Sequence, residues 1–354
     1  MLRPPTRTRA PAVTFLDDLA PLREEWERLA AAAGNVFGTW EWNDLWWRHY
    51  GRGRPLRVAV VGEEGVTAIV PLFVWSRRPL RILRLIGHGH GDRLGPVCEN
   101  GAEDAMRLAL GAEPHDVFVG DWVAGDRAWA RVLGGRVVRQ TGYPILSLPD
   151  SWDTFLAAQS QRFRKSARNY HNRLERKHEV AYRYADAESL DRDLDHAFRL
   201  HRARFGEHTR CNYCGEHESF QRAFSATALE RGWLRLLFLE IDGQPVCFEH
   251  GFLFQDAYFA YQAGRDLGWD RHSVGFVLEL ETIRRTLEAG AAEYRFLGGE
   301  EDYKYRFPTR DPRLETVAVP ATRRGSVAVA ALAAAWSVRI GEAVVRRIGS
   351  ARAD

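Results

Sequence analysis

Lysine, methionine and cysteine are scarce in this 354-residue sequence. Of 50 Lys+Arg, only Lys165, Lys177 and Lys304 are lysine. A compact ammonium kept at Lys304 in so arginine-rich a chain is chemically distinct from a planar guanidinium. Four cysteines, Cys98, Cys211, Cys214 and Cys247, are too few and too scattered for a disulfide framework, so a reducing compartment is expected. Excess charge is also lacking. The net charge is +3, which argues neither for nor against an anionic partner. No apolar run approaches the roughly 20 residues of a membrane helix. The segment Val327 to Trp336 is ten residues long. The basic start, MLRPPTRTRAPAV, has no apolar centre and does not read as a secretory signal. A cytoplasmic protein is expected. There is no G-x-S-x-G, which removes support for a nucleophile-elbow Ser/His/Asp triad.

What is present is aromatic and periodic. The chain carries 12 Trp and 18 Phe, enough for a well-filled core or aromatic clefts. After a leader over 1–12, helices are expected over Asp18–Ala33 and Trp40–Tyr50. Leu56–Val61, the turn Glu63-Glu64-Gly65 and Val66–Val74 read as a hairpin, with Pro71 marking an edge or a bulge. A strand over Arg81–Ile86, the loop GHGHGDRLGP with His88, His90 and Asp92, a helix over Ala102–Leu110, and strands over Val117–Val119 and Val137–Leu148 follow. Pro149-Asp150 reads as a boundary.

The second half repeats the theme. Gln161–Lys177 carries Phe163, Ala167, Tyr170 and Leu174 as one apolar stripe, with basic residues elsewhere. A helix follows Asp186. Trp233–Ile241, Asp242-Gly243 and Gln244–Phe254 form the strongest hairpin signal. Ala257–Ala263, a helix over Val274–Ala289 and a strand over Ala292–Leu297 complete the unit. Each half runs helix, helix, strand, acidic-Gly turn, strand, further strand, which predicts a structural duplication.

Several constellations carry candidate chemistry. The strand ending at Leu297 opens through Gly298-Gly299 into Glu300, Glu301, Asp302, Tyr303 and Lys304, where α/β proteins place sites. Tyr261-Gln-Ala-Gly264-Arg265 leads through His272-Ser273-Val274-Gly275 into a helix start, whose unpaired amides bind anions. Glu249 and His250 are a titratable pair inside an apolar strand. Adjacent strand residues face opposite sides, so one faces a cleft and the other is a core or solvent group. Either is a candidate general base. The run His208-x-x-Cys211-x-x-Cys214-x-x-His217 has zinc-ligand types. All four lie within one short stretch, which strains a tetrahedron, and no metal is expected. The basic helix is a candidate phosphate contact. The tail over Ser326–Gly349, with Arg339, Arg346 and Arg347, reads as a docked helix or a membrane-surface helix.

Gln159-Ser-Gln-Arg-Phe-Arg-Lys, Leu239-Glu-Ile-Asp-Gly-Gln-Pro-Val246, Tyr261-Gln-Ala-Gly264 and Phe296-Leu-Gly-Gly-Glu-Glu-Asp-Tyr-Lys304 together resemble the GNAT-type acetyltransferases of the CelD/BcsL kind. These are associated with cellulose and exopolysaccharide biosynthesis and related to Fem-type peptidyltransferases. The resemblance spans about 12–320. It implies an α/β (α+β) fold of two tandem GNAT-like units, each a mixed central sheet flanked by helices, over 13–149 and 150–320, with a helical tail over 321–354. It also implies acetyl-CoA or another acyl-CoA as donor and a small-molecule amine or hydroxyl as acceptor. The GNAT pyrophosphate signature Arg/Gln-x-x-Gly-x-Gly/Ala is not present; Arg271-His-Ser-Val-Gly275-Phe stands in its place.

The expected catalytic residues are Glu249 or His250 as base and Tyr303 or Tyr261 as acid, with Lys304 binding a phosphate or orienting the acyl group. Gly264, Arg265, His272, Ser273, Val274, Gly275, Gly298 and Gly299 are the expected donor-binding residues. A Fem-like aminoacyltransferase using aminoacyl-tRNA and a non-catalytic assembly protein of a polysaccharide complex are the alternative readings. Oligomeric state is not legible.

Overall fold

The computed structural model describes residues 12–206, 213–215 and 217–350, side chains excepted for Arg77 and 337–350. His208 and Cys211 of the candidate zinc motif, and the leader up to residue 11, lie outside the described residues. In chain order the elements are β1 (Ala12–Leu16), α1 (Arg23–Ala33), α2 (Trp40–Tyr50), β2 (Leu56–Gly62), β3 (Ala68–Arg77), β4 (Leu80–Leu85), β5 (Val97–Cys98), α3 (Ala102–Ala112), β6 (Val117–Ala124), α4 (Trp129–Leu133), β7 (Arg136–Thr141) and β8 (Ile145–Ser147). Then come α5 (Trp152–Ala157), α6 (Gln161–Glu175), β9 (Val180–Tyr184), α7 (Leu190–Phe205), α8 (His217–Glu230), β10 (Leu234–Ile241), β11 (Gln244–Phe254), β12 (Ala257–Arg265), α9 (Val274–Glu288), β13 (Glu293–Arg295), β14 (Thr309–Arg310), β15 (Leu314–Pro320) and α10 (Arg323–Ser350).

The strands form two mixed sheets, each flanked by helices. One has the order β1-β2-β3-β4-β6-β15-β7, with β5 also on β3; the other has the order β14-β8-β13-β12-β11-β10-β9. The fold is thus two mixed α/β units in tandem, the arrangement that the resemblance implies. Among the described residues, 12–141 with 312–350 form one compact unit and 142–311 the other. The boundary expected at 149/150 lies at 141/142 because the expected single strand Val137–Leu148 is two strands. β7 stays in the first sheet and β8 belongs to the second. The segment 312–320, expected in the second unit, pairs in the first sheet as β15, between β6 and β7.

Pro71 does not sit on an edge strand. β3 is paired by β2 on one side. On the other side β5 pairs at Ala68 and Ile69, and β4 begins at Leu72. Pro71 falls in the gap between those two partners, where its missing N–H breaks no ladder bond to them. Cys98 and Cys247 are buried free thiols, whereas Cys214 is disulfide-bonded, contrary to the expectation drawn from a reducing compartment. No described helix is long and apolar enough to cross a membrane. α10 packs Val329 against Val117, Val119, Val138 and Ala318.

Candidate active site

In the second unit the chemistry is organised by β11. Side chains alternate along a strand. Cys247 and Glu249 share one face; Phe248 and His250 share the other. α9 lies over the first face, with Val274, Val277 and Leu278 packed beside Cys247. His250 is fully buried on the second face. Its Nδ1 contacts the Tyr213 hydroxyl, and its Nε2 lies 3.4 Å from Ser225 Oγ on α8. Burial pushes its pKa down to about 3, so it is a neutral core imidazole near pH 7.

The register of β11 and β12 slips between His250 and Gly251. His250 pairs with Gln262 and Gly251 with Ala260, which leaves Tyr261 as the extra residue. Tyr261 faces the His250 side and accepts a hydrogen bond from Gln221 Nε2 at 2.9 Å. Its place between Gln262 and Ala260 is a bulge, a device often found beside sites.

Glu249 faces the other way, into a cleft of about 380 Å³. One side is β11 and β12, from Cys247 to Glu249 and from Gln262 to Arg265. Another is the start of α9, with Ser273, Gly275, Phe276 and Glu279. Tyr294 and Phe296 from the end of β13 line it. Tyr303 and Arg306 enter from the 3-10 turn Asp302–Arg306, and Arg204 comes from the end of α7. The Tyr294 hydroxyl donates to Glu249 Oε1 at 2.5 Å. Burial raises the Glu249 carboxyl to about 7, and that hydrogen bond partly holds it back. Glu279, one helical face along from Gly275 and Phe276, is 7% exposed. Burial first, and the charge of Glu249 second, hold its pKa well above the usual carboxylate range. Burial likewise raises the Tyr303 phenol.

The start of α9 is open. Ser273 sits at the N-cap in a left-handed conformation, φ 56°, and its side chain makes no cap bond. The first helical bond is from Val277 N to Ser273 O, 3.1 Å, so the preceding amides have no intrahelical acceptor. A Cβ on Gly275 would meet nothing nearer than Arg265 Cδ at 3.7 Å, so packing does not demand the glycine. It leaves room at the helix terminus instead. Gly264 is different. A Cβ there would lie 2.7 Å from His201 N and 2.8 Å from His201 Cα, so the glycine lets α7 approach β12.

Of the expected site residues, Glu249, Tyr303, Gly264, Arg265, Ser273 and Gly275 line this one cleft. The others lie elsewhere. Val274 is in the core. His272 is buried beside Trp269, with its Nε2 accepting from Arg271 Nε at 3.2 Å. Lys304 is buried, and its ammonium donates to the Gly298 carbonyl at 2.9 Å and pairs with Glu301 at 2.9 Å. It is the clamp on the Gly298-Gly299 turn. A Cβ on Gly299 would lie 2.7 Å from that ammonium and closer still to the Glu301 carboxylate, which accounts for the glycine. Among the cleft residues that escaped sequence reasoning are Arg204, Arg306, Glu279 and Tyr294. Glu279 did leave a signal, since an acid on the apolar helix segment Phe276-Val-Leu-Glu-Leu is costly unless it meets a cavity or a partner.

Residues 161–305 match the family described as the acetyltransferase (GNAT) domain. All of the cleft lining except Arg306 lies within that match. Over the longer chain, the crystal structure of FemX superposes with a TM-score of 0.61 at 13% identity, covering 84% of this chain and 96% of that one. A conserved protein of unknown function from Bacteroides thetaiotaomicron gives 0.58 at 15% identity, covering 87% and 100%. L-PGS from Bacillus licheniformis gives 0.55 at 12%, covering 88% and 93%. At these identities the likeness is one of fold. No curated protein matches the sequence.

Proposed function

We propose that this protein is an acyltransferase that takes its acyl group from an acyl-CoA thioester and gives it to an amine or hydroxyl, with Glu249 as general base. The observation that carries this is the Glu249 carboxyl. It is buried, raised to about 7, and faces a cleft bounded by the uncapped start of α9. A base whose pKa lies near the working pH is both deprotonated often enough and basic enough to help. The residues present fit the donor. The free amides of Val274, Gly275 and Phe276 form an anion cradle for its phosphates, and Gly275 leaves that cradle open. Arg306 adds a cation on the same cleft. When bound there, the donor supplies an activated acyl carbon and a thiolate leaving group. Glu249 takes the acceptor's proton, and the Tyr303 hydroxyl protonates the leaving sulfur. Tyr294 orients the Glu249 carboxyl through its short hydrogen bond.

Calorimetry with acetyl-CoA and with desulfo-CoA tests the donor. The expected result is saturable one-site binding, weakened by Gly275→Val. Absence of binding to both would sink the reading.

A second reading, an aminoacyltransferase fed by aminoacyl-tRNA, is favoured by one feature. α6 and the residues just after it expose Arg162, Lys165, Arg168, Arg173, Arg176 and Lys177. Such a stripe contacts phosphates. Salt-sensitive tRNA binding without acetyl-CoA binding would favour it over the first.

A further inference from the structure

The acyltransferase chemistry leaves the outer face of α6 unused. Arg162, Lys165, Arg168 and Arg173, with Arg176 and Lys177 just past the helix end, are all exposed. None of the six has a side-chain hydrogen bond or an ion pair among the described residues. Exposed arginines on other helices are neutralised locally: Arg23, Arg28, Arg48 and Arg107 each pair with an acid three or four residues away. Between Gln161 and Lys177 the one acid is Glu175, and it pairs with His171 at 3.1 Å. Like charges along one helix face repel one another and destabilise the helix that carries them. An acidic partner laid along that face relieves the repulsion.

A groove beside the stripe indicates the kind of partner. It measures about 530 Å³ and lies between α5, α6 and α9. Trp152, Leu156, Ala167, Val277 and Leu280 give it an apolar lining, to which Arg164, Arg168 and Arg284 add cations. Apolar anchorage within a charged rim is the anatomy of a protein–protein site. α6 is 15 residues long, about 22 Å, which matches one helix of a small partner. Nucleic acid is the poorer match, because the aromatics of α6 turn inward. Phe163 and Tyr170 pack on Phe276 with ring centres 5.5 and 6.1 Å apart, and offer no platform for bases. The groove also connects with the cleft. Val277, Leu280 and Arg284 line the groove, whereas Gly275 and Glu279, on the other side of α9, line the cleft. The two sides meet at the open N-terminus of α9, where Leu174, near the end of α6, packs beside Val274.

We propose that α6 and this groove dock a small acidic carrier protein, whose phosphopantetheine arm bends round the start of α9 and presents the acyl thioester to the cleft. The phosphate of that arm meets the free amides of Val274, Gly275 and Phe276. Cations in a row along a helix suit an extended acidic surface; the clustered phosphates of a free nucleotide call for cations converging on a point. Coenzyme A carries the same arm and is a small mimic of the docked donor. The acyl carbon leaves the carrier's sulfur for the acceptor's nitrogen or oxygen, and the acceptor's proton ends on that sulfur.

This inference rests on the acyltransferase reading for the fate of the thioester, but its docking test does not. The probes are an acidic acyl carrier protein with its arm, the same protein without it, desulfo-CoA, polyglutamate and bulk tRNA. Each is titrated calorimetrically into the full chain and into a variant combining Lys165→Glu, Arg168→Glu and Arg173→Glu. Both carrier forms should bind the wild-type protein, the armed one about ten-fold more tightly, and both should weaken as salt is raised. The variant should bind both about 10²-fold more weakly while keeping its melting temperature and its desulfo-CoA affinity, which shows that it is folded. Saturating desulfo-CoA should bring the armed carrier down to the affinity of the arm-free one. No carrier binding, carrier binding unchanged in the variant, polyglutamate bound as tightly as the carrier, tRNA bound in the carrier's place, or an armed carrier whose advantage survives saturating desulfo-CoA would each overturn the proposal. If desulfo-CoA shows no binding while the armed carrier keeps its advantage and the variant loses it, free CoA falls as donor and the docking face remains.

Discussion

Glu249 and His250 are neighbours on one strand, both buried, and both held far from their ordinary pKa by the same cause. Their surroundings differ. Glu249 meets a cavity, a tyrosine hydroxyl and an unpaired acid; His250 meets the rings of Tyr213, Phe252 and Tyr261. Desolvation drives both groups toward neutrality. On the cleft face that leaves an acid balanced near pH 7. On the core face it leaves an imidazole whose polar contacts are the Tyr213 and Ser225 hydroxyls and which does not line the cleft. A shifted pKa therefore marks a functional candidate only when the group also borders space a substrate can enter.

The largest effect should come from breaking this contrast on the cleft side. Glu249→Gln keeps an acceptor for the Tyr294 hydroxyl and removes the base. We expect kcat/KM to fall by about 10²- to 10⁴-fold with donor affinity unchanged. Steady-state kinetics beside calorimetry checks this, and full activity would remove Glu249 from the chemistry. On the core side, His250→Ala opens a cavity among aromatics. We expect a stability loss of about 2–4 kcal/mol by urea denaturation, with turnover per folded molecule preserved. A specific loss of kcat in a stable His250 variant would invert the comparison.

A smaller effect is expected at Gly264. An added Cβ meets backbone atoms of His201, which cannot swing aside as a side-chain tip can. Gly264→Ala should cost about 1–3 kcal/mol and disturb the cleft edge formed by β12. Lys304→Met comes next. It removes the clamp on Gly298 while keeping the apolar stem, and should cost about 1–2 kcal/mol with donor binding retained. Loss of donor binding with stability intact would restore the phosphate-binding role expected from sequence.

The hairpin β10–β11 was legible because its turn, Asp242-Gly243, is a strong local signal with φ 52° and 75°. α9 was legible from Val274 onward because periodicity and the glycine at 290 bound it. The contrast between Glu249 and His250 was half legible. Alternation says that they part, but not which meets the cleft, because that depends on which helix covers which face. Lys304 misled for a related reason. Its isolation in an arginine-rich chain signals a constraint, and the constraint is two carbonyls and a carboxylate within reach of one small ammonium. The return of 314–320 to the first sheet is a long-range pairing with no local marker.

A further contrast lies in how stability depends on pH, and there the two neighbours should oppose each other. Glu249 has its folded pKa raised from 4.5 to about 7, so below pH 4.5 its burial costs nothing electrostatically, and stability is lost as pH rises toward 7. His250 has its folded pKa lowered from 6.5 to about 3, so its burial is free above pH 6.5, and stability is lost as pH falls toward 3. Between pH 4.5 and 6.5 the slopes have opposite signs, each at most about 1.4 kcal/mol per pH unit, and largely cancel. Glu249→Gln removes one of them. Relative to wild type, that variant should gain stability steadily from pH 4.5 to 7 and hold the gain above it. His250→Phe should show the reverse, a relative gain that grows as pH falls below 6.5. Urea midpoints across pH 4 to 8 for the three proteins measure both slopes. Parallel curves for Glu249→Gln and wild type would mean that the Glu249 carboxyl is not raised, and its assignment as a base poised near neutrality would fail.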